Sequence, residues 1–217
     1  MIGIIDYGMG NLRSVQKAFE HEGAAATILT RSDEVMAVDR LILPGVGAFA
    51  DGMENLRQRS WIEPIRGFLA TGRPFLGICL GLQLLFDGSQ EDAASPDQPV
   101  PGLAILPGQV IRFHEATGAP DRPRIKVPHM GWNTIAWQRD DPLFAGLAQG
   151  SAVYFVHSYY AQPDASATQT ITSAVAEYPQ AEPFCASVQR DNIWATQFHP
   201  EKSQAVGLKM LANFARL

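Results

Sequence analysis

Residues Arg73 to Asp87 join an extended apolar run, begun behind Pro74, to a run of helix formers, and the join is Gly77-Ile78-Cys79-Leu80-Gly81. A glycine on each side of one cysteine at such a junction is the thiol form of a nucleophile elbow, a sharp strand-to-helix turn that lifts a reactive atom out of a sheet. The turn brings strand and helix so close that side chains at the flanking positions would collide, and glycine removes them. It also sets the sulfur at a helix N-terminus, where partial positive charge suits an anionic nucleophile. The competing account is a buried structural cysteine in a parallel strand, the commoner fate of a lone thiol. The rest of the chain decides between them.

Ahead of the elbow the pattern alternates strand and helix. Ile2 to Tyr7 reads as a buried strand, Gly8-Met9-Gly10 as a turn, and Asn11 to Glu22 as a helix with Leu12, Val15, Ala18 and Phe19 on its core face, stopped by Gly23. The glycine pair lacks the third glycine of a dinucleotide-binding turn, and the next strand, Ala26 to Thr30, ends without an acidic residue for a ribose. Arg40 to Leu43 is a further strand, running into Pro44-Gly45-Val46-Gly47-Ala48-Phe49. Two glycines at a strand's carboxyl end expose backbone N–H groups where open α/β sheets bind ligands. Helix follows from Asp51 to Thr71 with a break near Pro64, and the helix after Cys79 extends to about Gly88.

Gly88 to Gly102 is polar and proline-containing, and reads as loop. From Leu103 the texture changes. Leu103 to Phe113, Gly131 to Trp137, Ala152 to Tyr160, Thr168 to Tyr178, Phe184 to Arg190 and Asn192 to Phe198 are rich in β-branched and aromatic residues and read as strands. A short helix is expected at Pro142 to Leu147 and a closing one at Gln204 to Arg216. The expectation is one α/β domain over residues 1–217: an open, mostly parallel central sheet flanked by helices, with additional antiparallel strands in the second half.

Composition excludes several functions. A net charge of -5 without a basic block gives no nucleic-acid footprint. Pro74 to Phe86, the longest nearly apolar run, is short of the ~20 residues of a membrane helix. The N-terminus reads directly as a strand, with no signal peptide. Two cysteines make neither a disulfide framework nor a cysteine-rich zinc site, and none of the five histidines pair at helical ligand spacing. A soluble, cytoplasmic protein without metal or cofactor is expected.

A thiolate nucleophile needs a base, and the base an orienting acid. Late in the chain Ile193 to Phe198 runs into His199-Pro200-Glu201. Residues two apart at a strand end point the same way, so Glu201 can hold the His199 ring toward a sulfur. Gly77-Ile78-Cys79-Leu80-Gly81 followed by Gln83, together with His199-Pro200-Glu201, resembles the class I glutamine amidotransferases, Cys-His-Glu enzymes that hydrolyse glutamine and pass the ammonia to a synthase. Four further segments are similar to the branch of that family serving a cyclase that makes imidazole glycerol phosphate. They are Ile4-Ile5-Asp6-Tyr7-Gly8-Met9-Gly10-Asn11-Leu12, Leu43-Pro44-Gly45-Val46-Gly47-Ala48-Phe49, Pro128-His129-Met130-Gly131-Trp132-Asn133 and Tyr154-Phe155-Val156-His157-Ser158-Tyr159.

The resemblance implies the roles of particular residues. Cys79 is the nucleophile, His199 the base and Glu201 its partner. The oxyanion donors are the N–H of Leu80 and one from the Pro44 to Gly47 loop, at Val46 or Gly47. Gln83, Glu91, Ser158 and Tyr159 contact L-glutamine. Asn11, Met130, Trp132 and Lys202 meet the partner, a (β/α)8-barrel cyclase subunit in a heterodimer. His157 and Cys185 are read as strand packing. The alternatives are a glutaminase subunit for anthranilate or pyridoxal phosphate synthesis, a non-catalytic interaction subunit, and a cysteine hydrolase acting on peptides or small aldehydes. The Pro128 to Asn133 segment speaks against the first, and the intact Cys79, His199 and Glu201 set against the second.

Overall fold

The structure is a computed structural model and describes residues 1–95, 98–113, 126–178 and 183–217. In chain order it builds β1 (Ile2–Ile5), α1 (Leu12–His21), β2 (Ala26–Leu29), β3 (Arg40–Gly45), α2 (Phe49–Gln58), α3 (Ile62–Ala70), β4 (Phe75–Cys79), α4 (Leu80–Gln83), β5 (Phe86–Ser89), β6 (Val100–Pro101) and β7 (Leu106–Arg112). There follow β8 (His129–Thr134), β9 (Ala136–Trp137), β10 (Ala152–His157), β11 (Tyr159–Pro163), α5 (Thr168–Ile171), β12 (Thr172–Ala176), β13 (Phe184–Arg190), β14 (Ile193–Thr196) and α6 (Gln204–Phe214), with short 3-10 turns at Ser32–Ala37, Pro142–Phe144 and Pro200–Lys202.

The main sheet has eight strands in the order β2-β1-β3-β4-β14-β13-β12-β9. Its first five strands are parallel, and β13, β12 and β9 continue it antiparallel. Parallel strands need cover on both faces, and the sequence supplies two apolar faces. Ile5, Leu41, Leu43, Phe75 and Ala195 pack with Phe49, Leu56, Ile65 and Phe68 of α2 and α3. The alternate residues Ile4, Ile42, Leu76, Ile78 and Trp194 pack with Val15 and Phe19 of α1 and Met210, Leu211 and Phe214 of α6. Each such side chain contributes roughly 1.5–3 kcal/mol by leaving water. A four-stranded sheet, β11-β7-β5-β6, and the β8–β10 pair lie outside this layer.

Several expectations are corrected. The helix after Cys79 is a single turn, and the chain re-enters a strand at Phe86. Leu84 and Leu85 are fully buried under β7 and the Leu103 segment, so the apolar residues serve a tight crossing rather than a helix face. The Gly88 to Gly102 stretch is partly sheet, because β5 pairs β6 through Gly88–Pro101 and Ser89–Val100. The break in the long helix falls at Arg59 to Trp61, where Ser60 has φ 57°. Pro64 sits in the first turn of α3, where its missing N–H is not needed. Thr168 to Ile171 is a helical turn ahead of β12. The Leu103 to Phe113 strand starts at Leu106, and the Gly131 and Ala152 strands each divide, into β8 and β9 and into β10 and β11. The stretch 114–124, which carries no motif, lies outside the described residues.

Candidate active site

β4 lies between β3 and β14, with Gly45 in register with Cys79 on one side and Thr196 with Ile78 on the other. This placement brings three distant segments to the same sheet edge. Cys79 ends the strand at φ 55°, ψ -108°, a conformation an L residue adopts only under constraint. The constraint is close packing. A Cβ on Gly81 would lie 1.8 Å from the Leu43 carbonyl oxygen, and one on Gly77 would lie 2.8 Å from that of Gly81. The flanking glycines therefore do what the sequence pattern requires of them. The single turn of α4 makes the helix-dipole contribution smaller than a full helix would give.

β14 delivers the second group. His199 follows it by three residues and opens the 200–202 turn. Its backbone N–H donates to the Tyr154 carbonyl at 2.9 Å, and its carbonyl accepts from the Ser203 hydroxyl at 2.7 Å. With the main chain fixed on both sides, the ring Nδ1 meets Glu201 Oε1 at 2.8 Å. Both side chains are almost wholly buried, 2% and 3% exposed. Nε2 is buried too and closes no hydrogen bond of ordinary geometry. Burial works against a charge on the ring, but the Cys79 sulfur, and after it Glu201, outweigh burial and raise its pKa to about 10. The pair can therefore hold a proton on His199 ready for a leaving group.

Cys79 opens onto a cavity of about 260 Å³ lined also by Val46, Gly47, Leu80, Gln83, Glu91, Pro128, Val156, His157, Ser158 and Tyr159. It suits a small polar metabolite rather than a drug-sized ligand. Every residue expected at the oxyanion hole or the glutamine contact lines it. Gly47 has φ 113°, open to few residues but glycine. Glu91 is half-committed elsewhere, since its Oε2 accepts the Phe49 N–H at 2.8 Å and caps α2, whose own N-cap Ala48 offers no side-chain acceptor. Burial pushes its pKa up. The Ser158 carbonyl accepts from the Phe113 N–H, and that of Tyr159 from both Gln83 and His157.

Two groups near Cys79 go beyond the sequence reading, one lining the cavity and one buried behind it. His157 packs in β10 as expected, against the Phe113 and Phe184 rings, yet it also lines the cavity. Gln197 was unremarked; its Nε2 reaches Cys79 Sγ at 3.8 Å and its Oε1 accepts from Gln83 Nε2 at 3.1 Å. Its signal in the sequence is an amide two residues before His199 near the end of a mostly apolar run, and the structure buries it fully just past β14. Cys185 is buried in β13 with its thiol pushed up to about 12 by burial, consistent with packing. Among the described residues no group of three or more histidine, cysteine, aspartate or glutamate side chains is disposed to hold a metal ion.

Of the four residues expected at a partner, Met130 and Trp132 project from one face of β8 and are 60% and 50% exposed. The Trp132 ring meets Tyr154 edge-on at 6.0 Å, and the Tyr154 N–H donates to Ser203, beside the turn carrying Lys202. α1, capped by the Asn11 side chain, packs against that same turn. Asn11 and Lys202 are both exposed.

Residues 3–217 match the family model described as glutamine amidotransferase class-I. The chain belongs to that family. It is 52% identical over 214 residues to the imidazole glycerol phosphate synthase subunit HisH of Syntrophotalea carbinolica, covering 99% of this chain and 98% of the relative. It is 49% identical over 216 residues to the protein of the same name from Geobacter sulfurreducens, covering 100% and 98%. Among solved structures, PurLQS from Thermotoga maritima superposes with a TM-score of 0.72 at 15% identity, over 99% of this chain and 96% of that one. A structure titled glutamine amidotransferase gives 0.69 at 18% identity, over 100% and 99%. At such identities the likeness is one of fold. No helix among the described residues is long and apolar enough to cross a membrane.

Proposed function

We propose that this chain, a single domain over residues 1–217, is the glutaminase subunit of an imidazole glycerol phosphate synthase. It releases ammonia from glutamine for a cyclase subunit in histidine biosynthesis. The observation that carries the chemistry is the buried His199 ring, held on Glu201 at 2.8 Å, together with the strained Cys79 that lines a small cavity. Half-identity along the full chain to two HisH subunits supports the pathway.

Cys79 Sγ attacks the side-chain amide carbon, and the carbonyl becomes an oxyanion. The N–H of Leu80 and that of Val46 or Gly47 stabilise it; each such donor is worth about 2.7–4 kcal/mol of barrier. His199 Nε2 protonates the departing nitrogen, the C–N bond breaks, and ammonia leaves a thioester on Cys79. His199 then takes a proton from water, the hydroxide displaces the sulfur, and glutamate is released. Gln83, Glu91, Ser158 and Tyr159 hold the amino-acid end, Glu91 facing its ammonium. No cofactor enters these steps.

The partner is a (β/α)8-barrel cyclase in a heterodimer, docked on Met130 and Trp132 with Asn11 and Lys202 at the rim. Two large apolar side chains half-exposed on one strand face support that surface. The setting is cytoplasmic. Glutamate release is measured for the chain alone and with the cyclase subunit plus its nucleotide substrate. The expected result is a large rise in the full mixture, lost in Cys79→Ala. Brisk hydrolysis indifferent to that partner would keep the glutaminase and overturn the acceptor.

A further inference from the structure

The inward face of β8 carries a feature that the chemistry above does not use. His129 and His157 are cross-strand partners of β8 and β10, 4% and 6% exposed, with His129 Nδ1 3.0 Å from His157 Nε2. Two facing ring nitrogens cannot both carry hydrogen, so the pair has a direction, and both of its ends fix it independently.

At the outer end stands Asn133. Its Nδ2 donates to the Glu177 carbonyl at 2.8 Å, and its Oδ1 accepts from the Thr134 N–H at 2.8 Å. The amide cannot be flipped without setting donor against donor and acceptor against acceptor. Nδ2 is thus also the donor to His129 Nε2 at 3.3 Å. A bare Nε2 puts the His129 hydrogen on Nδ1, which donates to His157 Nε2. At the inner end His157 Nδ1 lies 2.9 Å from the Tyr159 carbonyl, which only accepts, so this nitrogen carries the His157 hydrogen. The two deductions meet in one assignment, both rings neutral. Burial, which pushes His129 down to about 4 and His157 to about 3, agrees with it.

The relay does not stop at Tyr159. The same carbonyl accepts from Gln83 Nε2 at 2.9 Å, Gln83 Nε2 also donates to Gln197 Oε1 at 3.1 Å, and Gln197 Nε2 faces Cys79 Sγ at 3.8 Å. The Tyr159 carbonyl is the node. His157 orients it from the core side, and Gln83, a cavity side chain, hangs on it from the other. Without the His157 hydrogen the carbonyl has one fewer restraint, and the Gln83 amide is left on a looser anchor beside its Gln197 contact.

We propose that His157, held in its tautomer by His129, is a positioning residue for glutamine binding, fixing the Tyr159 carbonyl and through it the Gln83 amide. This rests on the glutaminase reading of the site. Although His157 lines the cavity, in this role it acts through the Tyr159 carbonyl and not on the reacting atoms. Its effect falls on substrate affinity and leaves the chemical step alone.

Three substitutions test it in the complex with the cyclase subunit, read by glutamate release and by saturable alkylation of Cys79 with a glutamine-like chloroketone. His157→Phe keeps a ring among Phe113, Phe155 and Phe184 and removes both nitrogens. His157→Asn puts an amide N–H near the lost Nδ1, and His157→Gln puts its amide near the lost Nε2 instead. The expected result is a KM for glutamine raised about tenfold in His157→Phe and His157→Gln, with kcat within about threefold of wild type. His157→Asn should recover most of the affinity. The half-saturating chloroketone concentration should follow KM. A merely structural histidine would lower the melting temperature without this split. An unchanged KM in a folded His157→Phe, or equal KM values for the Asn and Gln variants, would overturn the proposal. Wild-type protein that releases no glutamate in the complex would instead overturn the glutaminase reading itself.

Discussion

Gly81→Ala puts one methyl group where the elbow has least room. The new Cβ would stand 1.8 Å from the Leu43 oxygen and 2.9 Å from its carbonyl carbon. Both are main-chain atoms of β3, a strand held in register between β1 and β4, so no flexible side chain can swing aside. The strand or the elbow must retreat by roughly 1 Å or more. Overpacking typically costs about 1–3 kcal/mol, and a clash with paired backbone belongs at the upper end. For a chain of this size each kcal/mol lowers the melting temperature by about 2–4 °C, so a drop of about 6–12 °C is expected. Turnover should fall as well, because the displaced turn carries the Leu80 N–H. Gly67→Ala is the internal control. Gly67 lies exposed in α3 with nothing within 4 Å of the place its Cβ would take, and alanine there should add about 0.5–1 kcal/mol. Calorimetric melting of both variants with a glutamate-release assay decides the matter. A Gly81→Ala protein that melts at the wild-type temperature with undiminished turnover would refute the close-packing account of the elbow.

Four other outcomes follow from the same geometry. Gly47→Val forces a β-branched residue into φ 113°, with its Cβ 2.7 Å from the Met9 methyl, and should lower kcat about 10²–10³-fold with little change in KM, as steady-state kinetics will show. Glu201→Gln keeps the contact to His199 Nδ1 but removes its charge, so the His199 limb of the pH–rate profile should move to lower pH and kcat should drop about 10²-fold. His129 and His157 are neutral when folded and bind a proton near pH 6.5 when unfolded, so the unfolded chain carries more protons below that pH. Stability is therefore lost as pH falls from about 6.5 toward 4, by up to about 1.4 kcal/mol per pH unit for each ring, and urea titrations should show a shallower acid limb in His157→Phe. Trp132→Ala should leave the melting temperature of the isolated chain within about 2 °C while weakening cyclase binding by about 2 kcal/mol, measured by calorimetry.

The parallel half of the sheet was readable because its strands are short apolar runs punctuated by glycine and proline. Cys79 and the His199-Pro200-Glu201 turn were readable because a strained turn and a strand terminus leave few residue choices. What resisted reading depends on tertiary packing. Leu80 to Phe86 is apolar enough for a longer helix, and only the buried crossing beneath β7 explains why it stops after one turn. Ser60 breaks the α2–α3 helix although Pro64 was the more conspicuous breaker, since a proline in a helix's first turn does no harm. Glu91 has the composition of a solvated loop residue, and its capping of α2 joins residues 42 positions apart. His157 fits strand packing by sequence, and its two ring-nitrogen contacts, to His129 and to the Tyr159 carbonyl, depend on the β8–β10 pairing and the turn into β11.

The order of strands across the main sheet has a consequence for how the protein is made. β4 pairs with β3, which precedes it closely, and with β14, which begins at Ile193. A ribosome delivers Cys79 more than a hundred residues before it delivers His199 and Glu201. Throughout that interval β4 lacks its β14 neighbour, and His199, the proposed proton acceptor, has not been made. If Cys79, His199 and Glu201 act as proposed, a chain without β14 is silent toward amides, and hydrolytic competence waits for β14 to take its place beside β4. On the proposed roles of these residues, glutamine in the surrounding fluid meets a working site only once residues 193–201 have been made and folded.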